Sequence, residues 1–173
     1  MRIDHSRAPG AFASEIESFI AYIGLERGLS ENTIAAYRRD LDQAAAYLAA
    51  HGAADWRAVS AAQAGGWIRS LAGERYAVTS LSRKLSALRM LARNLVREKV
   101  RDDDFTALLI GPKPGRTIPQ TLSEDEVARL VGAPVASDPL SLRDRALLEL
   151  FYSSGLRVSE LAAITLQQIN LEQ

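Results

Sequence analysis

The sequence predicts a mainly α-helical chain in two parts, and three features carry that expectation. Apolar residues recur at three- and four-residue spacing over about four stretches of residues 1–110. No useful period-two alternation interrupts them, so strands are not expected there. The segment GPKPGRTIPQT at 111–121, with three prolines and two glycines, then separates them from a shorter stretch of helical pattern. Each proline disfavours helix at the residue before it, so 111–121 is predicted as an extended linker.

The first helix is predicted over about Ala11–Glu26, with Phe12, Ile16, Phe19, Ile20 and Ile23 on one stripe and Gly28 breaking it. Ser30 is placed to cap a second helix over about Glu31–Ala50, whose Ile34, Tyr37, Leu41, Ala45 and Leu48 share a face. His51-Gly52 ends it. A third, about Ala61–Ala72, is expected to bury Trp67, Ile68 and Leu71. The fourth, about Thr79–Lys99, turns Leu81, Leu85, Leu88, Ala92 and Leu95 to the core.

Beyond the linker, Ser123 and Glu126 have capping-box spacing for a helix over Glu124 to about Val131. The next runs from about Ser141 to Tyr152, with Gly155 a left-handed terminator. Another begins near Arg157 or Val158 and reaches about Leu166, and the final QQINLEQ resembles the approach to a strand. So short a second part, burying little surface, is expected to be an incomplete domain.

Composition narrows the function classes. Hydrophobic residues at 47% are ample for a core, so a disordered chain is excluded. Without cysteine there is no disulfide framework or thiolate metal site, and the separated His5 and His51 have no ligand spacing, so no metal is expected. No secretory h-region and no apolar run long enough for a membrane span are present, and a cytoplasmic protein is expected. Net charge is zero, with 15 Lys+Arg against 13 Asp+Glu over 1–110 and 6 against 8 over 111–173. That balance decides nothing, because phosphate binding depends on where cations cluster.

They cluster between Arg75 and Arg97, where six cations (Arg75, Arg83, Lys84, Arg89, Arg93, Arg97) occur with no acid. At 100° per residue, Thr79, Arg83, Ser86, Arg93 and Arg97 lie opposite the leucine stripe, and Arg89 flanks them. Long cations and hydroxyls on one helix face suit a DNA groove, since they neutralise phosphates and arginine can grip a guanine edge. A solvated face with its acids on neighbouring helices explains the run equally well. The helix after Ser30 carries Asn32, Arg39 and Gln43 outward, with Thr33 in its first turn and Arg38 beside the apolar stripe; Asp40 and Asp42 dilute its charge. Lys113 and Arg116 make the linker a candidate basic strap. In SSGLRVSEL at 153–161, Arg157 stands where a helix start would favour a phosphate. Pairing with Glu160 is the plainer alternative.

Several segments in order resemble the Xer type of tyrosine recombinase, in the phage integrase family. They are LSENTIAAYRRDL at 29–41, SLSRKLSALR at 80–89, NLVREKV at 94–100, the linker region KP…IPQTLSEDEV at 113–127 and LRDRALLELFYSSGLRVSEL at 142–161. The resemblance implies a four-helix, SAM-like core-binding domain over 12–108, a linker over 109–121 and the helical beginning of an α/β catalytic domain over 122–173. It implies duplex DNA and other recombinase subunits as partners, with the helices at 31–50 and 79–99 facing the major groove. It also implies a reaction without metal, ATP or other cofactor, in which a tyrosine forms a 3′-phosphotyrosyl intermediate while two arginines, a histidine and a lysine assist.

Arg157 matches the first of those arginines, with Glu160 as its supporting partner. The family's lysine, His-x-x-Arg motif and nucleophile would fall after residue 173, and none of Tyr22, Tyr37, Tyr47, Tyr76 or Tyr152 lies in a nucleophile motif. The chain by itself is therefore expected to bind DNA rather than cleave it. Two other classes remain open: a helical module that pairs with a recombinase subunit without touching DNA, and a helix-turn-helix repressor, which the long linker and SSGLR disfavour.

Overall fold

The computed structural model describes residues 8–25, 28–74, 76–112, 121–134 and 138–169. The chain divides into two compact units, Met1–Arg116 and Thr117–Gln173. The described residues contain helices and no strand.

The first unit holds α1 (Gly10–Leu25), α2 (Glu31–Ala50), α3 (Ala61–Gly73) and α4 (Val78–Arg97). The helix α2 packs on all three others, and α4 also touches α1 and α3. All five apolar residues foreseen for α1 and all five for α4 are buried. Ile34, Tyr37 and Ile68 are only half-buried, at the margin of the core.

Two aromatic residues outside the helices complete this core. Trp56 is sealed from solvent, meets the Phe12 ring edge-on at 5.1 Å, stacks near Phe105 and donates its indole N–H to the Phe12 carbonyl at 3.0 Å. Arg101 ties the two loops together: its guanidinium donates to the carbonyls of Trp56 (2.8 Å) and Val59 (3.1 Å) and lies over the Phe105 ring.

Helix ends follow local chemistry. Ser30 accepts from the Thr33 N–H, and Ser60 with Gln63 forms a capping box at the start of α3. The end of α2 is a Schellman turn through Gly52 at φ 88°, with Ala53 N–H on the Leu48 carbonyl. The end of α4 is the same turn built on Lys99, at φ 55°, with Val100 N–H on the Leu95 carbonyl. This turn stops α4 at Arg97, two residues before the foreseen end.

The second unit holds α5 (Glu124–Val131), α6 (Pro139–Ser154) and α7 (Val158–Ala163), followed by a 3-10 turn, Leu166–Gln168. The Ser123–Glu126 capping box and the left-handed Gly155 (φ 64°) are present as expected. Asp138 caps α6 through the N–H groups of Leu140 and Ser141, with Pro139 in the first turn. The last helix is shorter than expected. Ile164 is extended, and Thr165 begins a new turn in which Gln168 Oε1 accepts from the Thr165 N–H at 2.9 Å. Most of the linker, residues 113–120, and the last four residues of the foreseen strand approach lie outside the described residues.

Candidate nucleic-acid interface

An outer row of α4 emerges where its periodicity puts it. Thr79, Ser86, Arg93 and Arg97 are exposed, and Arg83 is half-exposed. Along α2, Asn32 and Arg39 are exposed, while Thr33 and Arg38 are half-buried. The four arginines of α4 are engaged to different degrees. Arg93, with 73% of its side chain exposed, lies 4.0 Å from Asp104, the one acid it meets among the described residues. Arg97 lies over the Tyr22 ring, 3.6 Å from its centroid, and donates to Asn94 and Glu98. Arg83 donates to Asp40 of α2. Arg89, the flanking residue, donates to the Leu109 carbonyl and so anchors the chain leaving the bundle. Just beyond, Gly111 lies so close to Leu85 that a Cβ there would stand 2.9 Å from Leu85 Cδ2.

Two expected contacts are corrected. Gln43 does not face outward, and Lys84 is not part of the outer surface: they are 7% and 6% exposed. Both belong to a buried polar cluster between α2 and α4. Lys84 Nζ donates to Asp40 Oδ1 at 2.9 Å and to Gln43 Oε1, and it sits 5.1 Å from the Tyr76 ring centroid. Gln43 Nε2 donates to the Tyr76 hydroxyl at 3.0 Å. The physical reason is Asp40, which is 2% exposed. A carboxylate taken out of water requires charged partners, and it draws Lys84 inward with it.

Asp40 is therefore a core residue rather than a surface acid diluting the charge of α2. One signal for this was in the sequence: Asp40 follows Tyr37 by three residues and precedes Ala44 by four, so it lies on the helix side that packs.

Other expected residues also have local duties. Arg38 forms a two-pronged ion pair with Glu17 of α1, its second bond 2.7 Å long, and this pairing raises the guanidinium pKa above its ordinary value. Thr33 shares a 2.9 Å hydroxyl contact with the capping Ser30. Lys113 and Arg116 lie outside the described residues.

In the second unit Arg157 is extended (φ −73°, ψ 154°) and immediately precedes α7. Its side chain is 83% exposed, and Nη1 donates to Glu160 Oε1 at 2.9 Å. Glu160 Oε2 accepts from the Arg157 backbone N–H at 2.7 Å, and that bond, with the side-chain bond, holds the Glu160 carboxyl below the usual carboxylate range. The expected Arg157–Glu160 pairing is thus present. Glu160 thereby occupies the Arg157 N–H that leads into α7, a helix of six residues.

Residues 16–99 match the family model described as "Phage integrase, N-terminal SAM-like domain", and residues 120–173 match "Phage integrase family". The two matches fall in the order that the linker separates. The chain belongs to the phage integrase family, and its two matched parts are similar to those of Xer-type members.

Similar members include the tyrosine recombinase XerD of Vibrio vulnificus strain YJ016, 43% identical over 159 residues. XerD of Vibrio cholerae is 42% identical over 160 residues, and XerC of Pseudomonas putida 40% over 157. Each alignment takes in 91% of this chain and 52% of the relative. The chain therefore spans about half the length of the curated relatives it matches. No described helix is long and apolar enough to cross a membrane.

Proposed function

We propose that this chain binds duplex DNA through the outward faces of α2 and α4, as the DNA-holding part of a site-specific tyrosine recombinase working in the cytoplasm. The observation that supports it is the outer row of α4, where Thr79, Arg83, Ser86, Arg93 and Arg97 stand clear of a fully buried leucine stripe with no acid among them. Arginines in such a row neutralise phosphates, and the two hydroxyls add neutral phosphate contacts. Asn32 and Arg39 on α2 have the chemistry to read base edges. Gln43 and Lys84 are left out of this contact set because they are buried.

Arg157 is proposed as the first catalytic arginine. Its guanidinium would hold non-bridging oxygens of the scissile phosphate and stabilise the charge that builds there, while Glu160 fixes its orientation. None of the five tyrosines of this chain is offered as the nucleophile.

A fluorescein-labelled duplex of mixed sequence, titrated by anisotropy at several salt concentrations, tests the proposal. Affinity should fall linearly on a log–log plot, with a slope of roughly −0.9 per phosphate neutralised. Arg93→Glu should weaken binding on the order of tenfold. Affinity that is absent, or indifferent to salt, defeats the reading.

A second reading has one observation in its favour. Leu130, Leu140, Leu142, Phe151 and Tyr152 of the second unit are exposed, as in a module that pairs with another recombinase subunit. A monodisperse dimer without DNA affinity would select it.

A further inference from the structure

We propose that Asp40 is a positioning residue for DNA binding: it holds the Arg83 guanidinium in the orientation that meets a phosphate. This rests on the DNA-binding reading above and deepens it.

The geometry of the cluster divides the labour between two cations. Lys84 is buried, contacts Asp40 Oδ1 at 2.9 Å and is further tied to Gln43 and Tyr76. It is therefore the cation that neutralises the interior carboxylate. Arg83 bonds the other oxygen, Oδ2, yet keeps 40% of its side chain exposed. The cluster of one carboxylate and two cations retains one positive charge, and that charge emerges on the outer row of α4.

Both Arg83 bonds to the protein, to Asp40 and to the Ala36 carbonyl at 3.4 Å, leave from Nη1. A guanidinium carries five N–H groups in a rigid plane. With Nη1 held from below, Nε and Nη2 have no partner among the described residues and form the fork that a phosphate accepts. Holding the long side chain in place before DNA arrives reduces the ordering cost of binding. The same carboxylate bonds two residues of α4 from the middle of α2, so it also fixes the register between the two proposed contact helices.

A double-mutant cycle on the full chain separates positioning from mere structural support. Affinity for a mixed-sequence duplex of about 30 base pairs is measured at low salt for the wild type, Asp40→Asn, Arg83→Ala and the double variant. Asp40→Asn should weaken binding about two- to tenfold, the range expected for ordering one long side chain. In the Arg83→Ala background the same change should have no further effect.

The salt slope of Asp40→Asn should equal that of the wild type, since the same phosphates are neutralised. Should Asp40→Asn leave Lys84 buried without a counter-charge and unfold the protein, the comparison moves to Lys84→Met against Lys84→Met/Asp40→Asn, which isolates the Arg83 bond. An equal loss with and without Arg83 overturns the proposal while leaving DNA binding intact. So does tighter binding by Asp40→Asn, which would show that the carboxylate withholds Arg83 rather than presents it. A wild type without affinity overturns both readings at once.

Discussion

In the first unit, Phe12, Trp56, Trp67 and four leucines of α4 are sealed from solvent, whereas in the second no described residue is buried, and Leu130, Phe151 and Tyr152 stand partly or largely in water. Both units are helical and both carry well-formed caps. The first is held by long-range packing, including an indole bond across 44 residues of chain between Trp56 and Phe12. In the second, α5 packs on α6 and α6 on α7 without burying a described residue, and its helix starts carry bonds three residues long: Ser123 with Glu126, Asp138 with Ser141, Arg157 with Glu160. Short helices gain little stability from caps alone, because ordering the first turn is costly. Helices of the same sequence character thus enclose a buried core in one unit and pack without one among the described residues of the other.

The sharpest way to break that contrast is to remove one large aromatic from each unit. Trp56→Ala should cost about 3–5 kcal/mol and collapse the cooperative unfolding of the first unit. Phe151→Ala, already 39% exposed, should change stability by less than about 1 kcal/mol. Urea denaturation followed by tryptophan fluorescence and by helicity measures both, and equal losses would contradict the contrast.

A smaller effect is expected at the end of α4. Lys99 adopts the left-handed conformation that Gly52 supplies at the end of α2. Lys99→Gly removes the clash of a Cβ in that region and should raise stability by roughly 0.5–1 kcal/mol, seen as a higher Tm.

The subtlest expectation concerns pH. Glu126 is held below the usual carboxylate range by bonds from the Ser123 backbone and side chain, and Asp138 by bonds from the Ser141 side chain and backbone. Glu160 is held down by the Arg157 backbone and side chain. A carboxyl whose folded pKa lies below its unfolded one contributes stability above the unfolded pKa and loses it as pH falls through the folded value. The second unit should therefore lose helicity on acidification, with side-chain carboxyl NMR midpoints below those of model peptides. Midpoints at ordinary values would show the caps to be weak.

Elements were legible where one rule acted alone. The bounds of α2 and α5 follow from Ser30 and Ser123 at the cap and an unbroken pattern behind them. The ends of α4 and α7 were less legible, because a lysine in a glycine's conformation and a Thr–Gln pair starting a new turn leave no composition signal. In the candidate site, the outer row of α4 is exposed where periodicity puts it, but Gln43 and Lys84, expected as contacts, do not face solvent. Gln43 and Lys84 turn inward because Asp40 does, and that choice is made by contact between two helices 44 residues apart in sequence. Nor does a run without acids mean unpaired cations: Asp40 and Asp104 reach it from other segments, and Glu98 from the residue that caps the end of α4.

Adding duplex DNA to the isotope-labelled chain and following backbone amide shifts tests most directly which surface meets DNA. Shifts should concentrate at Asn32, Arg39, Thr79, Arg83, Ser86 and Arg93 and fade as salt is raised. Changes confined to α3 around Arg69, or no change at any of those six positions, would contradict the assignment of α2 and α4 as the DNA-facing helices.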